Sequence, residues 1–299
     1  MKILKYLCLL LFTLLFACQS PKADQAYQAE IDQWHQQRIE NLKKPEGWFS
    51  LAGLFWLKEG DNTFGSSEDN ELIFPETFPA KTGVFHLENN QVTVSINNGM
   101  GVLIDGKPML KATLKHDQEE NTTRMTWKSY IWYVIKRGDR FGIRLKDTLN
   151  PARLQFNGIE RFPVNEKYRI SAKFIPYDPP REIVIPTIIG TDDIEESPGA
   201  LEFELDGKKL TLDPIGKPGD KSWFIVFGDA TNGKETYGAG RFLVIPAPDS
   251  TGTVILDFNR AYNPPCAFTP YATCPLPPEQ NFLPVAIKAG EKNYGDGHH

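Results

Sequence analysis

The residues best suited to chemistry are polar side chains at predicted strand ends and glycine-rich turns in the second half of the sequence. Arg241 directly follows Gly238-Ala239-Gly240, and glycines at such a turn let a ligand approach the backbone closely. A guanidinium group binds carboxylates and phosphates through paired hydrogen bonds, so Arg241 with Arg161 or Arg144 could hold a small anion. The candidate ligand-binding residues are Arg144, Arg161, Asp229, Thr231, Tyr237, Arg241, Asp257, Asn259 and Tyr262.

The same residues also support a structural interpretation, in which Asp229 or Asp257 pairs with Arg241 inside the protein. A third interpretation is a hydrolase-type enzyme, because two carboxylates in unlike environments can serve as acid and base. The sequence contains no GxSxG, HExxH or P-loop motif, so the catalytic residues of such an enzyme stay unknown.

Cys266 and Cys274 lie in the most unusual segment, residues 263–278, where six of sixteen residues are proline. Proline at this density excludes a regular helix or strand and predicts an ordered loop. We predict a disulfide between the two cysteines, with buried thiols and reactive or metal-binding thiols as the alternatives. A structural zinc site would need four ligands and the chain has no CxxC pair, so we predict neither metal nor cofactor.

The N-terminus has the features of an export signal. Lys2 and Lys5 precede an apolar run that is too short to span a bilayer and ends in the residues LFAC at positions 15–18. This ending resembles the bacterial lipobox. The resemblance implies that residues 1–17 are a lipoprotein signal peptide and that lipid on Cys18 anchors the protein to a membrane of the cell envelope. Gln19, where an Asp would imply inner-membrane retention, favours the outer membrane of a Gram-negative bacterium.

Composition and charge narrow the class of protein. The 299 residues include 33 basic and 38 acidic side chains, a formal net charge of −5 that argues against a nucleic-acid partner. The 24 glycines and 23 prolines favour short strands and turns over long helices. A single helix is predicted at residues 26–44. Its apolar and aromatic stripe, which we expect to pack on the first β domain, consists of Tyr27, Ile31, Trp34, Arg38 and Leu42.

The remaining pattern predicts an all-β protein with two antiparallel β domains preceded by one short helix. Residues 18–47 would form a tether and the helix, residues 48–147 a β-sandwich, and residues 148–299 a C-terminal β domain carrying the proline-rich loop. Asp206-Gly207 is a strong hairpin signal, and Asp178-Pro179-Pro180 predicts a rigid corner. Because the GxSxG, HExxH and P-loop motifs are missing, the sequence favours a binding or scaffold module whose partner is a small anionic ligand or an envelope protein.

Residues 48–147 resemble a degenerate forkhead-associated domain, a β-sandwich that binds phosphothreonine. The matching segments are EGDNTFGS (59–66), DNELIF (69–74), NNG (97–99), IDGKP (104–108) and the Gly138-Asp139 turn. Ser66 stands where the family has an arginine, and residues 79–82 (PAKT) replace a serine and a histidine. Because a phosphate dianion needs those donors, the resemblance implies a retained scaffold and a lost phosphopeptide site.

The proline-rich segment NPPCAFTPYATCPLPP (263–278) closely resembles the hallmark of a bacterial domain-of-unknown-function family that includes many lipoproteins. Further matching segments are FGDATNG (227–233), YGAGRF (237–242), AGEK (289–292), GW (47–48), GLFWL (53–57) and RFP (161–163). The resemblance covers most of the chain beyond the signal peptide but implies no particular activity.

Overall fold

The structure is a computed structural model that describes residues 24–295; the predicted signal peptide and Cys18 lie outside the described residues. Strands account for most of the regular structure, so the all-β prediction is confirmed. The α-helices are α1 (Gln25–Leu42), at the predicted position, and the short α2 (Pro151–Gln155). Between residues 24 and 295, none of the helices combines the length and the apolar character needed to cross a bilayer.

The first ten strands form two five-stranded sheets. The strands are β1 (Leu51–Trp56), β2 (Gly60–Gly65), β3 (Leu72–Ile73), β4 (Gly83–Glu88), β5 (Gln91–Ile96), β6 (Leu103–Ile104), β7 (Lys111–Leu114), β8 (Met125–Trp127), β9 (Tyr130–Arg137) and β10 (Arg140–Asp147). Their order is β1-β10-β9-β8-β6 in one sheet and β3-β2-β4-β5-β7 in the other. Pairing is antiparallel, apart from a two-residue parallel contact between β2 and β3.

One hydrophobic core joins these two sheets into a sandwich. Along β5, Val92, Val94 and Ile96 are buried while the residues between them are more exposed, the period of two expected for a strand with one face on a core. They share a core with Trp132 of β9, which is fully buried, and with Phe74, whose ring meets the indole at a centroid distance of 6.1 Å.

The second half of the chain forms seven strands in two further sheets. The strands are β11 (Arg169–Pro186), β12 (Asp192–Leu205), β13 (Lys208–Leu212), β14 (Ser222–Asp229), β15 (Arg241–Pro246), β16 (Thr253–Asp257) and β17 (Phe282–Leu283). The sheets have the orders β13-β12-β11-β16 and β15-β14-β17 and share a core of their own. The short β14–β17 contact is parallel. The predicted hairpin at Asp206-Gly207 is confirmed, with φ values of 54° and 70° and β12 and β13 on either side.

Helix α1 packs on the C-terminal half of the chain, and not on the first β domain as the sequence led us to expect. Tyr27 and Ile31 are buried in a cluster with Val164. The Tyr27 hydroxyl donates a hydrogen bond of 2.7 Å to Asp257, at the end of β16. The docking position of the helix therefore depends on polar contacts such as Tyr27 with Asp257. The apolar stripe in the sequence does not identify these contacts.

The proline-rich segment is an ordered loop at the centre of a third core. Its buried residues Cys266, Phe268 and Cys274 pack with Leu42 of α1 and Phe49. The predicted disulfide between Cys266 and Cys274 is confirmed, with a Cα–Cα distance of 6.1 Å. The loop therefore touches the helix, the entry to β1 and the strands of the second half.

Removing the disulfide should weaken the whole fold. For a sequence separation of eight residues, the loop-entropy estimate gives a loss of about 2–3 kcal/mol in the free energy of unfolding. We expect the double variant Cys266→Ala/Cys274→Ala to show this loss in urea unfolding followed by far-UV circular dichroism. A reducing agent should destabilise the wild-type protein by a similar amount and leave the double variant unchanged. Equal stability of all samples would contradict the structural role of the bond.

Candidate functional site

Arg241 and Asp229 form a buried ion pair at the start of β15 and the end of β14. Both side chains have no solvent exposure, and Arg241 Nη2 lies 2.8 Å from Asp229 Oδ2. The guanidinium also donates to the carbonyl oxygens of Ile287, Ala289 and Glu291, so it fixes the segment that follows β17. Burial lowers the pKa of Arg241, and the Asp229 carboxylate opposes that shift.

The remaining oxygen of Asp229 is also fully used. It accepts hydrogen bonds from the backbone N–H of Thr231 (2.8 Å), the Thr231 hydroxyl (2.6 Å) and the backbone N–H of Ile287 (3.2 Å). Since neither side chain of the pair reaches solvent, the structural interpretation describes Arg241, Asp229 and Thr231 better than an anion site does.

Asp257 and Asn259 belong to a separate network beneath helix α1. Asp257 Oδ1 accepts from the Tyr27 hydroxyl and from the backbone N–H of Asn259 (3.1 Å). The Asn259 amide donates 2.9 Å to the carbonyl oxygen of Asn165. Burial, followed by the hydrogen bond to Asp257, raises the pKa of Tyr27. Asp229 and Asp257 therefore hold different structural elements together, and the geometry gives them no shared place for acid–base chemistry.

The other predicted candidates are dispersed. Arg161 forms an ion pair with Asp32 on α1, and Tyr237 is buried in the core around the disulfide. Arg144, on β10, is 3% exposed and donates 3.2 Å to the Thr273 hydroxyl of the proline-rich loop. Arg241, Arg161 and Arg144 thus contact three different partners and do not converge on one ligand.

Tyr262 is the predicted candidate that lines an open cleft. The cleft lies between α1, β15 and the segment before β1 and has a volume of about 480 Å³. Its lining consists of Trp34, Gln37, Arg38, Asn41, Trp48, Val244, Arg260 and Tyr262. Three aromatic rings and two guanidinium groups therefore face one space, and no carboxylate lines it.

Arg38 organises this cleft. Its guanidinium lies 4.4 Å from the centre of the Tyr262 ring and donates 2.5 Å to Glu291, a carboxylate with 1% side-chain exposure. Glu291 also accepts 2.7 Å from the backbone N–H of Asn263, where the proline-rich loop begins. The acid that pairs with Arg38 is thus behind the cleft wall, while the arginine forms part of the wall.

Sequence reasoning missed Trp34 and Trp48 as site residues. Trp34 was placed in the apolar stripe of the helix, and Trp48 entered only as part of a family-like motif. Trp48 is 38% exposed, and Trp34 lies 6.5 Å from the Tyr262 ring. The signal that could have found them is the presence of two tryptophans in and just after one helix, when no apolar strand is predicted to bury both rings.

In the first sandwich, hydroxyls near the position of the phosphopeptide site in forkhead-associated domains are already used. The Ser66 hydroxyl donates 2.7 Å to the carbonyl oxygen of Phe78, and the Thr82 hydroxyl donates to that of Pro79. The loss of phosphopeptide binding stays a prediction from the sequence. Residues 24–295 contain no group of three or more His, Cys, Asp or Glu side chains arranged for a metal ion.

The fold and the cleft define an all-β protein with one core in each β half, a third core around the disulfide-closed loop, and one docked helix. Residues 154–292 match the family model described as "Protein of unknown function (DUF1684)", so this part of the chain belongs to that family. An uncharacterized protein from Haloarcula marismortui is 32% identical over 47% of this chain and 78% of its own, with a TM-score of 0.39. Comparison with curated proteins gave no significant match.

The chain is also similar to forkhead-associated domains. One comes from a study of phosphothreonine-dependent interactions; another is the domain of FhaA in complex with an intracellular domain. Each is 14% identical and has a TM-score of 0.21, over 31% of this chain and 92% or 97% of its own.

The buried Arg241–Asp229 pair tests whether these residues are structural, as distinct from the residues that line the cleft. Asp229→Asn leaves Arg241 charged and uncompensated in the interior, so we expect a loss of about 3–5 kcal/mol in the free energy of unfolding. Asp32→Asn removes the partner of Arg161 at a half-exposed position and should cost less than about 1 kcal/mol. Urea unfolding of both variants provides the measurement. Equal losses would show that Asp229 is not a structural group.

Proposed function

We propose that this protein is a binding module that holds a small anionic ligand in the cleft between α1 and Trp48. The observation that carries the proposal is the composition of the lining, with three aromatic rings, two guanidinium groups and no carboxylate. The carboxylates that pair with these two guanidinium groups, Glu291 and Glu30, are outside the lining, so the cleft presents hydrogen-bond donors and no competing acid.

The aromatic rings support a ligand with a ring-shaped body. Trp34 and Tyr262 are half-buried and Trp48 is exposed, so their faces are held in place yet remain open to a ligand. Small-molecule sites combine such apolar surfaces with a few polar groups that fix orientation. Here the amides of Gln37 and Asn41 supply both donors and acceptors. A sugar acid, with a ring, hydroxyls and one carboxylate, combines the chemistry that this lining can recognise.

Arg260 is the cation best placed to change partner when a ligand enters. Its ion pair with Glu30 involves a carboxylate whose side chain is 57% exposed, and its Nε has no hydrogen-bond partner, although it lies 3.6 Å from Asp257 Oδ2. Exposed pairs of this kind contribute little to stability, so exchanging Glu30 for a ligand carboxylate would cost little.

Calorimetric titration with glucuronate tests the cleft, with glucose as the uncharged comparison. We expect glucuronate to bind more tightly than glucose, and Trp34→Ala and Trp48→Ala to weaken binding by about tenfold or more, because buried aromatic contacts dominate such sites. Trp56→Ala, at the opposite end of β1, is the matched control and should bind like the wild type. Unchanged affinity in both cleft variants, or an absence of binding by glucuronate, would remove the basis of the proposal.

We also propose that the protein is exported and anchored to the outer membrane of a Gram-negative cell through lipid on Cys18. The support is the sequence alone: the short charged and apolar start, the LFAC ending and Gln19. In this arrangement residues 1–17 are removed and residues 18–47 form the tether and helix. The sandwich of residues 48–147 and the C-terminal β domain of residues 148–299 then face an aqueous compartment, where an envelope protein is a further possible partner.

Metabolic labelling with an alkyne-bearing palmitate analogue tests the anchor. We expect label on the wild-type chain, and its loss together with release from the membrane fraction in Cys18→Ala, because Cys18 would supply the acceptor thiol. Cys8→Ala is the control and should keep the label, since that residue lies in the part to be removed. Label that persists in Cys18→Ala would exclude this anchor.

A further inference from the structure

The outer face of β9 and β10 carries buried positive charge without enough negative charge to match it. Arg144 is 3% exposed and its Nε has no hydrogen-bond partner. Its polar contact to Thr273 is with a neutral hydroxyl. Among residues 24–295, no carboxylate lies within ion-pair distance of Arg144. Burying a guanidinium group without a counterion costs free energy, and a bound anion next to Arg144 would reduce that cost.

Lys146 lies two residues further along β10 and therefore on the same face of the strand. Its ammonium group donates 2.6 Å to the backbone carbonyl oxygen of Glu46, and it too has no ion-pair partner in the part of the chain that the structure describes. Lys146 is half-buried, so its ammonium group is only partly solvated.

The carboxylates nearby are already engaged. Glu46 pairs with Arg124, and Asp117 pairs with Arg137 at 2.8 Å. The cluster thus contains four cations, counting Arg144 and Lys146, against two carboxylates. Two positive charges are left over, at the two positions that are least able to rely on solvent.

Open space adjoins Lys146 on both sides. A cavity of about 240 Å³ is lined by Glu46, Asp117, Thr122, Arg124, Tyr133 and Lys146. A second of about 360 Å³ has Lys146 and Trp48 in its wall and shares Arg38, Asn41 and Trp48 with the aromatic cleft. The smaller cavity thus brings two cations, a tyrosine and a threonine into one small volume, together with the carboxylates of Glu46 and Asp117, which pair with Arg124 and Arg137.

We propose that this smaller cavity is a second ligand site, which binds a carboxylate or phosphate group between Lys146 and Arg124 while the buried charge of Arg144 adds to the attraction. The two cations supply hydrogen-bond donors, and charge-assisted bonds of this type are the strong ones. The proposal rests on its own residues and does not require that the aromatic cleft binds a sugar acid.

The ionisation of Lys146 is consistent with this geometry. Burial lowers its pKa to about 8; Glu46 opposes that shift, while Arg144 and Arg124 add to it. The other groups that line the cavity or face the ammonium are Asp117, Tyr133 and Thr122. A bound anion favours the protonated amine and raises its pKa. Anion binding should therefore be strong below pH 8 and weaken as the pH rises through that value.

Calorimetric titration of the protein with inorganic phosphate, and separately with acetate, tests the site at pH 7 and constant ionic strength. We expect Lys146→Met to weaken the binding by about tenfold or more, because it removes a charged donor and keeps the aliphatic stem. Lys146→Arg should retain binding. Lys111→Met, at an exposed position on β7, is the matched control and should stay within about twofold of wild type.

Thermal unfolding of each variant separates loss of the site from loss of the fold, and nuclear magnetic resonance titration of Lys146 supplies an independent readout. The Lys146 pKa should rise by about one unit or more when phosphate is present. A preference for phosphate over acetate, or the reverse, identifies the chemistry of the natural group, and either result supports the site. Binding of neither anion, equal binding by Lys146→Met, or a Lys146 pKa that phosphate does not move would overturn the proposal.

Discussion

The buried carboxylate of Glu291 is the constraint on which the candidate cleft depends. A charge with almost no access to water must be paired and hydrogen-bonded, and here the partners of the carboxylate come from two separate parts of the chain. Arg38 comes from the helix, Asn263 from the start of the proline-rich loop, and Arg241 binds the carbonyl oxygen of Glu291 itself. Satisfying one residue therefore sets the position of helix, loop and β15 together, and the cleft is the space left between them.

Positive charge is distributed in an uneven way over this acidic protein. Arg241 is matched by Asp229 inside the C-terminal core, and Arg38 is matched from behind by Glu291. Arg144 and Lys146 have no such match; Arg144 contacts the proline-rich loop, and Lys146 faces the segment between α1 and β1. The physical difference between a structural and a ligand-binding cation here is whether the protein supplies the counterion, and the residue type alone does not show that.

Local sequence signals predicted the local structure well. The Asp206-Gly207 turn and the cysteine pair each depend on neighbours within a few residues, and each was found where expected. Helix docking and the cleft depend on contacts between residues more than 200 positions apart, such as Tyr27 with Asp257 and Arg38 with Asn263. No spacing in the sequence encodes such pairs, which is why Trp34 and Trp48 were missed and buried Arg241 was taken as a ligand candidate.

Helix α1 is attached to the rest of the molecule by buried side chains and also by charged groups at its surface. Besides the buried contacts of Arg38 and Tyr27, its side chains form the half-exposed pairs Asp32–Arg161 and Glu30–Arg260. Salt screens exposed pairs strongly, with a Debye length of about 3 Å at 1 M, but hardly affects buried ones. The two β cores have no comparable dependence. Ionic strength therefore acts selectively on the helix, and through Trp34 and Arg38 it acts on the width of the cleft.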